Sequence, residues 1–483
     1  MITQAKKLYL KDFYLLIVLL FFSFFSVYYM PVMFNRIAFL IILVATFRTK
    51  FDYVYLVWFF IINDAPARLF SAGALDDVGR IPLYPLVSGI SISFQDLFFA
   101  LYIYKYLSQK KIPPFIFKKE FTWYLLFGIF VVGYSLLLGM TMDNMLQTFR
   151  IFLPWSMIFI VPAYIGSKEK IIRSSLLIFP IVFLAFLSLC YSYVTGDYLN
   201  DVLRGVSFSH TLLVRDEFAS RSHSAAFIII FSVIQAFYYL LDKNNQINKN
   251  YLGAVIFFGL FSILLTASRG WTIALTFFLF GSLFFTGFSR NIAKWIRIVA
   301  VSVIVFWFIG SQFPLIQKQL DATFQRLATL EMLVSGDVTA GGTLQRIDVR
   351  GPRVMSKFWE SPFVGWGFSN DYYDFADGHV GHQNILLNVG ILGYVFVNGL
   401  FVVLCMKIWR FSRIKEIRKN EGKLSLIYVF GLMAVFVIHS SSTQFWGIDM
   451  GFNQLQKLIF FGFFLAAVNT IYQDYQYHRD NRL

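Results

Sequence analysis

Charge and cysteine are both scarce in this chain, and the common cofactor signatures are missing from it. Only 14% of its 483 residues are charged, too few to solvate the surface of an ordinary globular domain, which excludes a soluble protein of that kind. The two cysteines, Cys190 and Cys405, both fall inside apolar stretches, so neither a disulfide nor a thiolate metal site is expected. There is no C-x-x-C or H-E-x-x-H pattern, and no Walker or dinucleotide-binding glycine motif. No metal and no cofactor are therefore expected. The first apolar run follows Lys6, Lys7 and Lys11, is too long for a signal-peptide core and lacks a small-residue cleavage site after it, so it reads as a retained helix.

What the chain has in abundance is apolar surface: 58% hydrophobic residues, 20% aromatic residues and 59 Phe. A helix needs about 20 apolar residues to cross a hydrocarbon core of about 30 Å, and stretches of that kind recur along the chain. The expected fold class is all-α, a polytopic transmembrane bundle of about fourteen helices. The crossings fall near 12–31, 36–47, 51–63, 91–104, 121–140, 151–167, 174–192, 223–241, 251–267, 271–288, 297–313, 385–406, 424–440 and 453–470. The second and third are short and broken at Arg48, Lys50 and Asp52, so they read equally as a paired re-entrant element or one broken helix.

Lys and Arg favour cytoplasmic loops, and with the N-terminus inside, the loops 105–119, 168–173, 242–249, 289–297 and 407–423 become the basic inner set. Both termini are then cytoplasmic, and the net charge of +15 reports topology rather than nucleic-acid binding. On these boundaries Lys predominates inside and Arg outside. Guanidinium groups suit two-pronged grip on phosphate or carboxylate, whereas Lys supplies bulk charge, so the outer face reads as built to hold an anion. Pairing of each outer Arg with a nearby carboxylate or headgroup is the plainer alternative.

Three outer segments carry polar chemistry. Residues 193–222 contain Asp197, Asp201, Arg204, His210, Arg215, Asp216, Glu217 and Arg221, and Arg221 precedes a helix start whose dipole favours an anion or whose Ser and His simply cap it. Ser268-Arg269-Gly270 joins two apolar helices in a tight hairpin, where the Arg either snorkels or binds a ligand. The longest polar stretch, 314–384, reads as a partly helical cap, with amphipathic segments at 314–333 and 344–360. In it Arg346, Arg350 and Arg353 recur at helical spacing, forming one cationic stripe if the helix survives Gly351-Pro352. His379 and His382, three apart, share one side of the next helix start. Each either caps and pairs locally or, as a neutral imidazole, acts as general base.

Taken together, Leu264-Leu265-Thr266-Ala267-Ser268-Arg269-Gly270-Trp271, then Arg346 ahead of Pro362-Phe363-Val364-Gly365-Trp366-Gly367, then His379 ahead of Gly390-Ile391-Leu392-Gly393, resemble the bacterial O-antigen polymerase and O-antigen ligase superfamily. The resemblance covers about residues 200–410. It implies an inverting membrane glycosyltransferase that moves a sugar chain from undecaprenyl diphosphate to an acceptor hydroxyl on the periplasmic face of the inner membrane. Arg269 and Arg346, with Arg350, Arg221 and Arg204 in support, would bind the diphosphate, and His379 would be catalytic. Family members usually carry Asn directly after that His; here Val380 follows His379, while Gln383-Asn384 follows His382, so both histidines remain candidates. Glu217, Asp371 and Asp377 are alternative bases.

The acceptor implied is a second lipid-linked glycan in a polymerase, or lipid A core or protein in a ligase; a chain-length regulator is a possible partner. The number of crossings and the aromatic-rich outer surface favour the polymerase. A transporter of the same lipid-linked sugar is the alternative from another class, opposed by the lack of an internal repeat.

Overall fold

Two short helices near the N-terminus show how so apolar a chain is organised. The computed structural model describes residues 2–66, 69–70, 80–87, 90–110, 112–195, 199–203, 225–266, 268–286, 304, 308, 312, 317–321, 324, 328, 349–377, 380–413, 421–438 and 454–480. Helix α1 (Ile2–Tyr29) is followed by α2 (Val32–Arg48) and α3 (Asp52–Asn63). In α3 every residue from Tyr53 to Ile62 is buried. A helix apolar on all sides belongs inside a bundle, and at about 18 Å this one is too short to cross a bilayer alone. The second and third apolar runs are thus two helices broken at residues 49–51. Serines and an asparagine secure them: Trp58 Nε1 donates to Ser23 Oγ at 3.0 Å and Ser26 Oγ to Asn35 Oδ1 at 3.2 Å, the interhelical polar contacts that hold apolar helices together where water cannot compete.

A two-stranded antiparallel hairpin, β1 (Leu83–Val87) with β2 (Ile90–Ser93), leads into α4 (Phe94–Leu107) through a Ser93–Asp96 capping box. Helices α5 (Lys118–Leu137), α6 (Met142–Phe152), α7 (Met157–Ile165), α8 (Lys168–Thr195) and the short α9 (Leu199–Leu203) follow. Then come α10 (Ala226–Leu241), α11 (Lys249–Leu265) and α12 (Arg269–Phe285). The cap contributes α13 (Gly351–Phe358) and α14 (Asn370–Phe375), and the chain closes with α15 (Gly381–Phe411), α16 (Glu421–Met433) with a π-helical turn at Ala434–Ile438, and α17 (Gln454–Asp480). The centre of the bundle is α3, α10 and the middle of α17. Its aromatic rings interlock there, with Phe59 stacked on Phe98 at 3.9 Å and Phe60 on Phe463 at 5.2 Å, which is where much of the phenylalanine goes.

Among the described residues, six helical stretches have the length and apolar composition to cross a membrane: Tyr9–Tyr29, Lys118–Leu137, Met142–Ile165 (α6 and α7 with the 3-10 turn between them), Lys168–Thr195, Gly381–Phe411 and Leu455–Gln473, and five shorter apolar helices accompany them. The expectation of about fourteen also counts these shorter apolar helices and the run near 297–313, most of which lies outside the described residues.

Polar ties gather at the two ends of the bundle. At one end Lys105 pairs with Asp52, Arg173 with Asp12 (3.1 Å) and Glu169 (2.5 Å), and Lys407 with Glu120 (2.5 Å). At the other, Asp64 accepts from Ile228 N–H at 2.8 Å, Gln456 donates to the Asn63 carbonyl at 3.0 Å, and Asn144 donates to Asn370 at 2.7 Å. The described parts of the three polar segments all belong to this second end.

Candidate functional site

The cationic stripe expected at 346–353 is partly realised. Helix α13 begins at Gly351, so Pro352 falls in its first turn, where a missing N–H costs nothing and the ring pre-sets the backbone. Arg350 holds the position just before that start, without a capping side-chain bond, and Arg353 follows within the first turn. Both turn to Asp377: Arg350 Nη1 lies 3.3 Å from Oδ1 and Arg353 Nη2 3.9 Å from Oδ2. Arg353 also donates to the carbonyls of Phe375 (3.3 Å) and Ala376 (3.5 Å). Asp377 is in turn held by α15. Its N–H donates to Asn384 Oδ1 at 3.0 Å, and Asn384 Nδ2 donates back to the Asp377 carbonyl. Two arginines, one carboxylate and the first turn of α15 therefore form one connected polar unit.

The two glycine motifs of the cap meet each other. Helix α15 is interrupted at Gly390, whose backbone lies at φ 64 and ψ −172, and such a break frees main-chain groups that must find partners. The turn 362–367 supplies them. Ile391 N–H donates to the Pro362 carbonyl (2.9 Å) and Leu392 N–H to that of Phe363 (3.2 Å). Trp366 N–H donates to the Leu387 carbonyl (2.8 Å) and Gly367 N–H to that of Asn388 (2.7 Å). Only glycine permits this fit. A Cβ on Gly390 would stand 2.2 Å from the Phe363 carbonyl oxygen, and one on Gly365, itself at φ +69, would stand 2.5 Å from Gly390 N. Asn388 Nδ2 adds a bond to the Gly367 carbonyl, and Ser135 Oγ of α5 accepts from Phe368 N–H at 2.6 Å. Nothing in the sequence beyond the spacing of these glycines announces the contact.

Lys357 stiffens the same unit. It sits 2.7 Å from Glu360, 2.9 Å from Asp371 and 4.0 Å above the Trp366 ring, while Trp366 Nε1 donates to the Lys357 carbonyl at 3.0 Å. Burial alone would lower its pKa, but the hydrogen bonds and charges of Glu360 and Asp371 outweigh that and raise it. Asp371 and Asp377, read from sequence as alternative bases, are therefore both engaged by cations.

His382 is half-buried at the start of α15, its Nδ1 3.0 Å from the Tyr394 hydroxyl. Tyr394 is a partner that sequence reading misses, because the Gly390 break lies between the two. Asn384, two residues after His382, is about 200° around a helix from it. His382 thus belongs to a different face from the Asp377–Arg350 cluster.

For Ser268-Arg269-Gly270 the structure places the backbone: Ser268 precedes α12, and Arg269 is its first residue. Trp271 is buried against Phe227 with ring centroids 5.3 Å apart. The Leu265 carbonyl receives both the Tyr193 hydroxyl (2.8 Å) and Gln319 Nε2 (2.7 Å), so part of the cap segment, at 317–321, is seated on the helix end just before Ser268. The side chain of Arg269, and all of Arg204, Arg221, Arg346, His379, His210 and Glu217, lie outside the described residues.

No family model matches this chain, and no curated protein is significantly similar to it.

Proposed function

We propose that this chain is a membrane glycosyltransferase that polymerises lipid-linked oligosaccharide repeat units. It takes the growing chain from undecaprenyl diphosphate and uses a hydroxyl of a second lipid-linked unit as acceptor. The observation that carries the reading is the welding of the Pro362–Gly367 turn to the Gly390 break. It draws two motifs far apart in sequence into one rigid platform, with Arg350 and the start of α15 upon it, at the same end of the bundle as the start of α12. The fuller topology belongs to this reading too: about fourteen crossings in a bacterial inner membrane, both termini cytoplasmic and the platform periplasmic.

The acceptor oxygen attacks the anomeric carbon, the bond from that carbon to the diphosphate oxygen breaks, and the configuration inverts. Undecaprenyl diphosphate departs with the electron pair, and the acceptor proton passes to a base. Arg269 and Arg346 hold the diphosphate, with Arg350 kept in register by Asp377 and with Arg204 and Arg221 of the 193–222 segment in support. Fixed guanidinium groups in a site poor in water stabilise developing charge better than mobile water does.

Between the two histidines, His379 is the better base. Asp377, which anchors both arginines, stands two residues before it, whereas His382 is engaged with Tyr394 on another helical face.

The test is transfer by the purified protein in vesicles with a lipid-diphosphate oligosaccharide and no ATP. Lengthened lipid-linked product is expected, and Arg269→Ala or Arg346→Ala should each lower its rate on the order of a hundredfold or more with insertion unchanged. Near-full activity of Arg269→Ala would refute the diphosphate assignment, and relocation of the substrate without lengthening would make the protein a transporter.

A further inference from the structure

We propose that the turn at residues 359–364 is a membrane anchor, seated in the interfacial layer of the leaflet on the cap side, and that the Gly390 break marks the level at which α15 enters the hydrocarbon. The proposal goes beyond the glycosyltransferase reading and stands on different observations.

The first is length. Helix α15 (Gly381–Phe411) is two helical segments joined at the Gly390 break, and the contact of His382 with Tyr394 across that break means that the two do not share one axis, so each is measured separately against the roughly 30 Å that a hydrocarbon core requires. The part after the break, Ile391 to Phe411, has about the right length by itself, and it ends among Lys407, Arg410 and Arg413. The part before it carries the polar side chains His382, Asn384 and Asn388.

Helix α5 gives the same boundaries independently. From Lys118 to Leu137 it is about 30 Å long, and it is tied to α15 at one end through Glu120–Lys407. Near its other end Ser135 meets Phe368 and Tyr134 donates to the Gly365 carbonyl, so α5 ends at the level of the turn. Between these ties both helices present apolar side chains outward: Ile129 (67% exposed) and Phe130 (69%) on α5, Leu392 (64%) and Val395 (63%) on α15.

The turn continues that apolar surface. Trp359 is 66% exposed and Phe363 67% exposed, although both are large side chains on a segment fused through Ile391 and Leu392 to a membrane-spanning helix. Lipid does not hydrogen-bond a backbone, and here the carbonyls of Pro362 and Phe363 are already taken by α15, while Gly365 N–H is taken by the Ser361 carbonyl. Pro362 has no N–H to satisfy, and the nearest carboxylate, Glu360, is paired with Lys357. Trp and neighbouring apolar side chains at the end of a span are the composition that settles at headgroup depth. His382 stands on the cap side of the break, eight residues before Gly390, and reaches Tyr394 on the other side of it.

The experiment uses the full chain in phosphatidylcholine–phosphatidylglycerol vesicles, in a Cys190→Ser, Cys405→Ser background, with an environment-sensitive fluorophore attached at Phe363→Cys or, as the aqueous reference, at the exposed Asp374→Cys. At position 363 the expected result is a blue-shifted emission that loses most of its intensity to a nitroxide on a shallow acyl position and little to aqueous iodide, with the reverse at position 374. As a second measurement, brominated lipid should quench the intrinsic tryptophan emission less in Trp359→Phe than in the parent. Iodide quenching at position 363 as strong as at 374 overturns the proposal. So does protection there from both quenchers, which a second copy of the chain seated on the turn would give.

Discussion

Lys357 shows how a charged residue in the cap serves structure rather than substrate. It joins Glu360, Asp371 and the Trp366 ring, and its pKa is raised above the ordinary 10.5 because the two carboxylates outweigh the cost of burying it. A folded-state pKa above the unfolded one means that the contact stabilises fully at neutral pH and is lost as pH rises through the folded value. Thermal unfolding in detergent should therefore show the parent more stable than Lys357→Met at pH 7, with the gap closing at pH above 10.5; a gap independent of pH would remove the ion pairs from the account. The arginines illustrate the limit of reading residue types. An excess of outer Arg points to anion binding, yet Arg350 and Arg353 both face Asp377. Whether a guanidinium meets a phosphate or a carboxylate depends on its neighbours in space, which composition does not contain.

The join between α15 and the Pro362–Gly367 turn behaves as one element made of two. Its four main-chain hydrogen bonds need glycine at both Gly365 and Gly390, where any Cβ would stand within 2.6 Å of the opposing backbone. Gly390→Ala should cost about 1–3 kcal/mol from the unfavourable φ, and more as the turn is displaced. Because Gly365→Ala breaks the same contact, the double variant should lose less than the two single losses added together, measured as melting temperatures on purified protein. Strict additivity would mean that the two glycines act separately. The order of these glycines is legible in sequence as a motif; their mutual contact is not, because a helix interrupted by a positive φ and repaired from another segment leaves no periodic signal.

For the whole molecule, the sorting of polar ties to two ends of an apolar bundle predicts two aqueous faces. Single cysteines introduced at Asp374 and at Arg413, both exposed, in the background lacking Cys190 and Cys405, should react with a membrane-impermeant maleimide from opposite sides of sealed vesicles. Labelling of both from the same side would refute the arrangement. Hydropathy correctly marks the apolar helices, because a bilayer filters for length and apolarity and both are local properties. It does not separate a run that faces lipid from one such as α3, which other helices shelter, because that distinction depends on what surrounds the run.

Composition and pattern were sufficient for the helical membrane class, the scarcity of reactive cysteine and the positions of the polar segments, since each follows from residues close in the chain. Which partners those segments meet depends on folding: Asp377 with Arg350, Tyr394 with His382, Gly390 with Gly365, and Asp64 with the start of α10. These contacts join residues brought together by the closing of the bundle, and their energies come from distances that exist only once the helices have packed.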